Sequence, residues 1–220
     1  MKKFIIAFKA LIICVIAVSC SNSGDNSEVY ETIGVVVEDA NYGGKLYVVS
    51  DGGKIIFPTS SVLSINDRDA RVWISFSIEN DVNADTIKAV LYRFVKIPTA
   101  EVKTEGANTL QNDDIVEMFN IWVAHNYLTF SMNLYAYSPT SLAAHKYFMY
   151  LNPETVGDTL HLELRYDRNR DANNTFYKQL LAVKMSEIYS AAAVNSASVL
   201  AIKYRDRDGN KIKYIDLSSE

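Results

Sequence analysis

Three histidines, His125, His145 and His161, are the first residues to consider as chemistry, because imidazole binds metal ions and transfers protons near neutral pH. Only His161 has charged side chains close by on a predicted strand, with Glu163 and Arg165 at the next alternate positions. Residues two apart on a strand are separated by about 6.6 Å, which is wide for two ligands of one metal ion. We therefore interpret this group as the polar face of a strand whose other face is lined by leucines, and we predict no metal site.

The segment from Asp167 to Asp171 resembles the start of a calcium-binding loop, because oxygen-bearing side chains stand at alternate positions, including Asn169. The EF-hand pattern then requires Gly where Ala172 stands and Glu where Lys178 stands. The sequence favours a charged loop and leaves open an irregular calcium site at Asp167, Asn169 and Asp171.

No catalytic motif is present in the sequence. It contains no Gly-x-Ser-x-Gly, no His-Glu-x-x-His and no glycine-rich phosphate loop. We predict that the protein is not an enzyme, with no catalytic residue and no cofactor. A hydrolase built on carboxylates that are distant in sequence is the alternative left open, since their separation in space is what matters.

Aromatic residues on polar strand faces are the better candidates for ligand contact. Trp73 shares its predicted face with Arg71 and two serines, and Tyr127, Tyr135 and Tyr137 share another with hydroxyl and amide side chains. Such surfaces can stack sugars or receive peptides. Cross-strand pairing within a sheet is the alternative explanation for the same residues.

The N-terminus has the layout of a lipoprotein signal peptide. Basic residues begin the chain, the apolar stretch 10–18 follows, and Ala17-Val18-Ser19-Cys20 resembles a bacterial lipobox with Ala in place of the usual Leu. Nine apolar residues are too few to span a bilayer about 30 Å thick. We predict a signal peptide at 1–19, lipidation of Cys20 and a polar tether at 20–28. Ser21 after the cysteine favours the outer membrane, with the periplasmic and surface faces both open.

Cysteine and charge counts support this location. Cys14 leaves with the signal peptide, so Cys20 is the single thiol of the mature chain and no intrachain disulfide can form. Loss of three N-terminal lysines leaves 19 basic and 26 acidic side chains, a net charge of −7. Nucleic acid is therefore an unsuitable partner, because phosphates require Lys and Arg.

The mature sequence predicts two β domains. Five strand-like runs, interrupted by glycine-rich turns at 41–44 and 51–53, occupy residues 29–97 and predict a small five-stranded OB-like barrel. Residues 98–114 lack strand periodicity and are interpreted as a connector. Residues 115–220 carry seven further strand-like runs and predict an antiparallel β-sandwich, with a helical turn in the Ala- and Ser-rich stretch 188–198. The fold class is thus all-β.

Three stretches carry a family resemblance: GlyValValValGluAsp (34–39), IleTrpValAlaHisAsnTyrLeuThrPhe (121–130) and LeuHisLeuGluLeuArgTyrAspArgAsnArgAsp (160–171). With the N-terminus, they make residues 29 to 217 similar to the NigD-like lipoproteins of Bacteroidota. The resemblance implies a lipidated cysteine, an OB-type domain and a C-terminal β-sandwich. It implies no activity.

These observations lead to one functional expectation and two alternatives. We expect a membrane-anchored envelope lipoprotein that acts as a non-catalytic binding or interaction module for an envelope protein or glycan. The association of the NigD family name with a bacteriocin locus suggests an accessory or immunity factor instead. The hydrolase with a carboxylate site is the third interpretation.

Overall fold

The protein is represented by a computed structural model that describes residues 28–60, 62–104, 113–152, 158–172, 175–194 and 196–218, apart from the side chain of Asn41. The predicted signal peptide, Cys20 and all of the tether except Glu28 lie outside these residues. No helix in the described ranges is long and apolar enough to cross a membrane. The chain divides into two compact units, one ending at Lys96 and the other beginning at Ile97.

The first unit is a closed barrel of five strands in the order β1-β2-β3-β5-β4. The strands are β1 (Tyr30–Asp39), β2 (Lys45–Ser50), β3 (Ile55–Pro58), β4 (Arg71–Asn83) and β5 (Thr86–Lys96). All neighbours are antiparallel except β3 and β5, and the barrel closes because β1 pairs with both β2 and β4. The predicted OB-like barrel is confirmed.

A glycine at the centre of β1 allows this double pairing. Gly34 is in register with Ser50 of β2 and Val72 of β4 at the same time. A Cβ atom at this position would lie 2.4 Å from the carbonyl oxygen of Val49 and 2.7 Å from a methyl group of Val48. The two backbones can approach this closely only because residue 34 has no side chain.

The predicted alternation of buried and exposed side chains along β4 is only partly correct. Val72, Ile74 and Phe76 are buried in the barrel, but Ile78 is exposed. The pairing of β4 with β5 is irregular before and after Ile78, and one shift of register lies between Ile78 and Asn80. A bulge displaces the following side chains from the face that strict alternation predicts.

The second unit is a sandwich of a five-stranded and a three-stranded sheet. The larger sheet has the order β13-β12-β10-β9-β6 and the smaller one β11-β8-β7. Their strands are β6 (Glu101–Lys103), β7 (Glu117–Ala124), β8 (Tyr127–Ala136), β9 (Lys146–Leu151), β10 (Thr159–Asp167), β11 (Thr175–Lys184), β12 (Val199–Asp206) and β13 (Gly209–Asp216). The larger sheet is mixed rather than purely antiparallel, because β6–β9 and β10–β12 are parallel pairs.

Alternating apolar residues form the core between these two sheets. On β8 the predicted inner face is entirely buried, and β10 contributes the leucines opposite His161. The core side chains of these two strands are Leu128, Phe130, Met132, Leu134, Ala136, Leu160, Leu162 and Leu164. The two-residue pleat therefore predicted this core correctly.

The described part of the predicted connector 98–114 belongs to the sandwich. Its strand β6 pairs with β9. The backbone N–H group of Asp114 donates to the carbonyl oxygen of Tyr166 on β10, and that of Val116 donates to the carbonyl oxygen of Arg205 on β12. Both acceptors lie beyond the residues at which β10 and β12 pair with each other. A three-residue strand is too short for periodicity to reveal.

The sandwich also contains one short helix. Helix α1 (Met185–Ala192) begins three residues before the stretch 188–198 in which we predicted a helical turn, and it ends at Ala193 with a φ of 54°. Met185 and Ile188, three residues apart, are its buried side chains, which is helical spacing.

Candidate functional site

The sandwich joins His145 and Asp171, which are 26 residues apart in the sequence. Nε2 of the buried His145 lies 3.0 Å from Oδ2 of Asp171, and Nδ1 lies 2.7 Å from the hydroxyl of Tyr166. Oδ2 of Asp171 also accepts from Oγ of Ser141 at 2.5 Å and from the backbone N–H of Tyr137 at 3.1 Å. This network ties the loop after β8 to the loop after β10.

Shifted pKa values and the capacity of each group to donate or accept a hydrogen bond indicate where protons lie in this network. The hydrogen bond from Ser141, with those from Tyr137 and His145, holds the pKa of Asp171 well below its usual range. Burial raises the pKa of Tyr166 far above its usual range. An ionised carboxylate can only accept, so Nε2 of His145 carries the hydrogen that it shares with Asp171. The Tyr166 hydroxyl contacts Nδ1 of His145 and also lies 3.4 Å from the carbonyl oxygen of Tyr135.

This geometry is not that of a Ser-His-Asp triad. In a triad the serine oxygen is hydrogen-bonded to the imidazole, which takes its proton. Here Ser141 is bonded to Asp171, and both nitrogens of His145 have other partners. The arrangement therefore holds two loops together and provides no base for the serine.

The same contacts bear on the suggested calcium loop. Oδ1 of Asp171 accepts from the N–H of Ala172, and Oδ1 of Asp167 accepts from the N–H of Asn169. Hydrogen bonds thus reach both carboxylate oxygens of Asp171 and Oδ1 of Asp167. Among the described residues no group of three or more His, Cys, Asp or Glu side chains could hold a metal ion.

The charged residues near His161 form an ion-pair network. Arg165 contacts Asp113 and Glu163, each at 2.8 Å, and Lys203 lies 3.1 Å from Glu163. Burial raises the pKa of Asp113, although Arg165 opposes the shift. The predicted polar face is thus largely neutralised, and it holds the segment before β7 against β10.

The four aromatic residues singled out from the sequence have different environments. Tyr127 is only 4% exposed, which corrects the expectation that it lies on an open face, whereas Tyr137, just beyond the end of β8, is 66% exposed. Trp73 is half-buried beneath Arg93, whose guanidinium carbon lies 4.2 Å from the ring centroid. The structure therefore does not bring the four together as one surface.

Tyr135 belongs to a cluster of its own at one end of the sandwich. Its ring centroid lies 3.8 Å from that of Phe176, its register partner on β11. Arg207, at the tip of the β12–β13 hairpin, lies 4.6 Å from the Phe176 ring and donates to the Tyr135 hydroxyl at 2.9 Å. The predicted alternative of cross-strand pairing describes Tyr135 well.

A second aromatic cluster lies on the outside of the barrel, and we call its three residues the barrel aromatic cluster: Tyr42, Tyr47 and Phe57. Their ring centroids are 5.0 to 5.4 Å apart. Tyr47 is on β2 and Phe57 on β3, both outside the apolar barrel interior, and Tyr42 is in the connection between β1 and β2. Tyr42 is 41% exposed and covers the other two rings, of which Tyr47 is only 5% exposed.

This cluster escaped the sequence analysis because its members lie five to fifteen residues apart and belong to three different elements. The only signal was indirect. OB barrels bind oligosaccharides and oligonucleotides on strands 2 and 3 and on the loop between strands 1 and 2, so aromatics in these elements are candidates once the barrel is recognised. Burial and the nearby Asp39 raise the pKa of Tyr47, so its hydroxyl remains a hydrogen-bond donor.

Two shallow clefts lie in the second unit. One, of about 410 Å³, is bordered by Glu101, Tyr147 and Phe148. The other, of about 330 Å³, lies between β6 and α1 and is lined by Glu101 and Glu187 with two serines. Glu187 is exposed and Glu101 is largely exposed while paired with Lys103 at 3.4 Å, so these carboxylates remain hydrated.

Comparison with protein families identifies the second unit. Residues 98–218 match the family described as the NigD-like C-terminal beta sandwich domain. The chain belongs to this NigD-like family. The resemblance noted from the sequence is thereby confirmed for more than half of the NigD-like chain, and a search of curated proteins gave no significant match.

Solved structures extend the fold likeness to both units. The NigD-like chain is similar to a candidate lipoprotein from Bacteroides fragilis, with 13% identity, a TM-score of 0.66 and coverage of 86% of this chain and 97% of that one. A candidate toxin-related protein from Parabacteroides distasonis has 20% identity and a TM-score of 0.65, with coverage of 87% of this chain and 94% of that one. A NigD-like immunity protein from Bacteroides caccae has 18% identity and a TM-score of 0.59, with coverage of 88% of this chain and 94% of that one. Identities this low show the fold alone.

Proposed function

We propose that this protein is an envelope-anchored, non-catalytic binding module whose barrel aromatic cluster receives a neutral glycan. The observation that carries the proposal is the three-ring contact of Tyr42, Tyr47 and Phe57 on the outer face of β2 and β3. Aromatic faces stack on sugar rings, and the tyrosine hydroxyls provide polar contacts at their edge. Localisation at the outer membrane through Cys20 is part of the same proposal.

Charge favours a glycan over a nucleic acid. Residues 28–96 hold seven Lys and Arg and ten Asp and Glu side chains, so the barrel unit has a net charge of −3. Oligonucleotides on an OB barrel require a positive groove along the backbone. A surface that binds a neutral sugar does not require positive charge.

Contacts within the sandwich support the proposal that the protein has no catalytic activity. Its serine, histidine and aspartate are engaged in a structural network, and its ion pairs neutralise Asp113 and Glu163. A hydrolase is the competing function, and the cleft that brings Glu101 and Glu187 together is the place where it would act.

A glycan array probed with the full chain in detergent tests the proposal. Removal of one exposed ring contact weakens binding by about 1 kcal/mol, so Tyr42→Ala is expected to weaken it about fivefold. The matched control is Tyr92→Ala, an exposed tyrosine of the same barrel outside the cluster. No glycan binding, together with turnover of an envelope polymer that is lost in Glu101→Gln or Glu187→Gln, would replace the proposal by the hydrolase.

A second candidate function is that of an immunity or accessory factor against a protein toxin. It is favoured by the family and by the fold shared with a NigD-like immunity protein from Bacteroides caccae. The test is to inspect the genes beside the coding sequence and to co-express the protein with any toxin that they encode. Protection of the cells that survives Tyr42→Ala would assign the protective contact to another surface.

A further inference from the structure

The strand β13 is the longest regular edge that the sandwich leaves uncovered. It pairs with β12 in eight unbroken register positions, and no described residue pairs with its other side. Only alternate residues of an antiparallel strand bond to a given neighbour, so every second residue of β13 directs its N–H and C=O groups away from β12. Eight residues give an edge about 26 Å long.

Other edges of the sandwich are shortened or blocked. β6 has three residues, and β7 has a bulge between Met118 and Asn120 that interrupts its pairing. At β11, the N–H of Ala100 donates to the carbonyl oxygen of Ala182, so the preceding segment covers part of that edge. Short strands, bulges and covering segments protect sheet edges from further pairing. No described segment covers β13 and no bulge interrupts its pairing with β12, so its protection is the pair Lys211 and Lys213, whose charges discourage pairing with any strand that does not match them.

Side chains of β13 alternate between two kinds. Lys211 and Lys213 lie on one face, and Ile212 and Tyr214 lie on the other, where they are 55% and 62% exposed. Lys211 lies 3.7 Å from the exposed carboxylate of Asp208, and Lys213 makes no ion pair with a described residue. The four central residues of β13 are therefore basic on one face and apolar on the other, with Ile215 following on the basic face and Asp216 on the apolar one.

We propose that β13 accepts an added strand from another polypeptide, an extended segment in which acidic and apolar residues alternate. Backbone hydrogen bonds supply affinity in such strand addition, and alternate side chains supply specificity. The partner's carboxylates would lie beside Lys211 and Lys213, and its apolar side chains beside Ile212 and Tyr214.

Two other occupants match this edge poorly. A second copy overlaps β13 most fully when it pairs antiparallel about Ile212 or about Lys213. Lys211 would then lie directly opposite Lys213, or Lys213 opposite its own copy, and like charges in that position destabilise a sheet. The chain's own segment 21–28 is acidic but has no apolar side chain to lie against Ile212 and Tyr214. A separate partner satisfies both faces.

The test is hydrogen exchange of the full chain in detergent, with a capped eight-residue peptide that alternates Glu and Val as the probe. Strand addition is expected to slow exchange of the outward amides of β13, which a contact between side chains alone does not do. Control peptides are one that alternates Lys and Val and one with four Glu followed by four Val. Because only the alternating acidic peptide matches both faces, only it should protect β13.

Charge reversal provides the matched variants. Lys211→Glu with Lys213→Glu should weaken peptide binding at least about tenfold, while Lys178→Glu, an exposed lysine of the other sheet, should leave it unchanged. If the double variant fails to fold, Ile212→Ser with Tyr214→Ser removes the exposed apolar pair instead. Tyr42→Ala should retain protection, because the proposal does not depend on the barrel surface.

Several outcomes would overturn the proposal. They are an absence of β13 protection at about 1 mM peptide, equal protection by the block peptide, and protection confined to β7. Concentration-dependent dimerisation in sedimentation, lost in the lysine double variant, would assign the edge to a second copy and overturn the choice of partner.

Discussion

The guanidinium of Arg71 donates to both carboxylate oxygens of Asp51, each at 2.5 Å. The Arg71 side chain is fully buried on β4, and Asp51, in the turn after β2, is 22% exposed. The pair connects two non-adjacent parts of the barrel, because β1 lies between β2 and β4 in the strand order. A bidentate contact of this kind fixes the relative orientation of the two side chains and also pairs their opposite charges.

Removing one partner of this pair should destabilise the barrel strongly. Asp51→Ala leaves a buried guanidinium without its carboxylate, and we expect a loss of about 3 kcal/mol in the free energy of unfolding, the low end for buried pairs because Asp51 is partly solvated. The matched control is Glu38→Ala, which breaks the more exposed pair with Arg68 and should change stability by less than about 1 kcal/mol. Urea unfolding measures both. Equal effects of the two substitutions would contradict the structural role of Arg71.

Gly34 should tolerate no side chain. Gly34→Ala places a methyl group 2.4 Å from the carbonyl oxygen of Val49, and a backbone atom held by strand pairing cannot move aside easily. We expect a loss of about 3 kcal/mol or failure of the barrel to fold. Gly52→Ala is the control, since its nearest neighbour is the Ser50 hydroxyl at 3.9 Å, and thermal unfolding should show a change within about 1 kcal/mol. A well-folded, equally stable Gly34→Ala protein would show that β1 does not require close approach here.

Most strands were predictable because their side chains alternate, and alternation depends on the pleat alone. The inner face of β8, from Leu128 to Ala136, is an example. β6 was missed because three residues cannot show a period. The helical turn predicted in 188–198 overlaps α1, but the start of the helix at Met185 was missed because it directly follows the apolar strand β11. The parallel pairing of β10 with β12 depends on chain topology, which local pattern does not contain.

The candidate sites were less predictable than the fold. Tyr127 and Tyr137 were predicted to share one face of a strand, yet Tyr127 is buried within β8 and Tyr137 lies exposed just beyond its end, because alternation shows neither where a strand ends nor what covers it. Tyr42, Tyr47 and Phe57 meet only when two turns bring three elements together. Asp171 was noted only within a possible calcium loop, and its contact with His145 was not predicted because the two residues are distant in sequence.

Acid should loosen the loops that Asp171 joins. Because its hydrogen bonds, chiefly from Ser141, hold the pKa of Asp171 below its unfolded value near 4, the stabilisation is present above that value and is lost as the pH falls toward the folded pKa. Unfolding free energies measured between pH 6 and pH 2.5 should therefore decline less steeply in Asp171→Asn than in the parent chain. Asp208→Asn, at an exposed hairpin tip, is the control and should keep the parental slope. Parallel slopes for the parent and Asp171→Asn would contradict this assignment.

Membrane attachment should depend on Cys20 and not on Cys14. Both cysteines lie in the N-terminal region outside the described residues, and only Cys20 stands at the end of the lipobox-like stretch 17–20. Lipid chains contribute about 0.8 kcal/mol for each buried CH₂ group, so two or more chains anchor a protein stably. In cell fractionation we expect the parent and Cys14→Ala in the membrane fraction and Cys20→Ala released from it. Mass spectrometry should find the mature parent beginning at a lipid-modified Cys20, and undiminished membrane association of Cys20→Ala would refute the anchor.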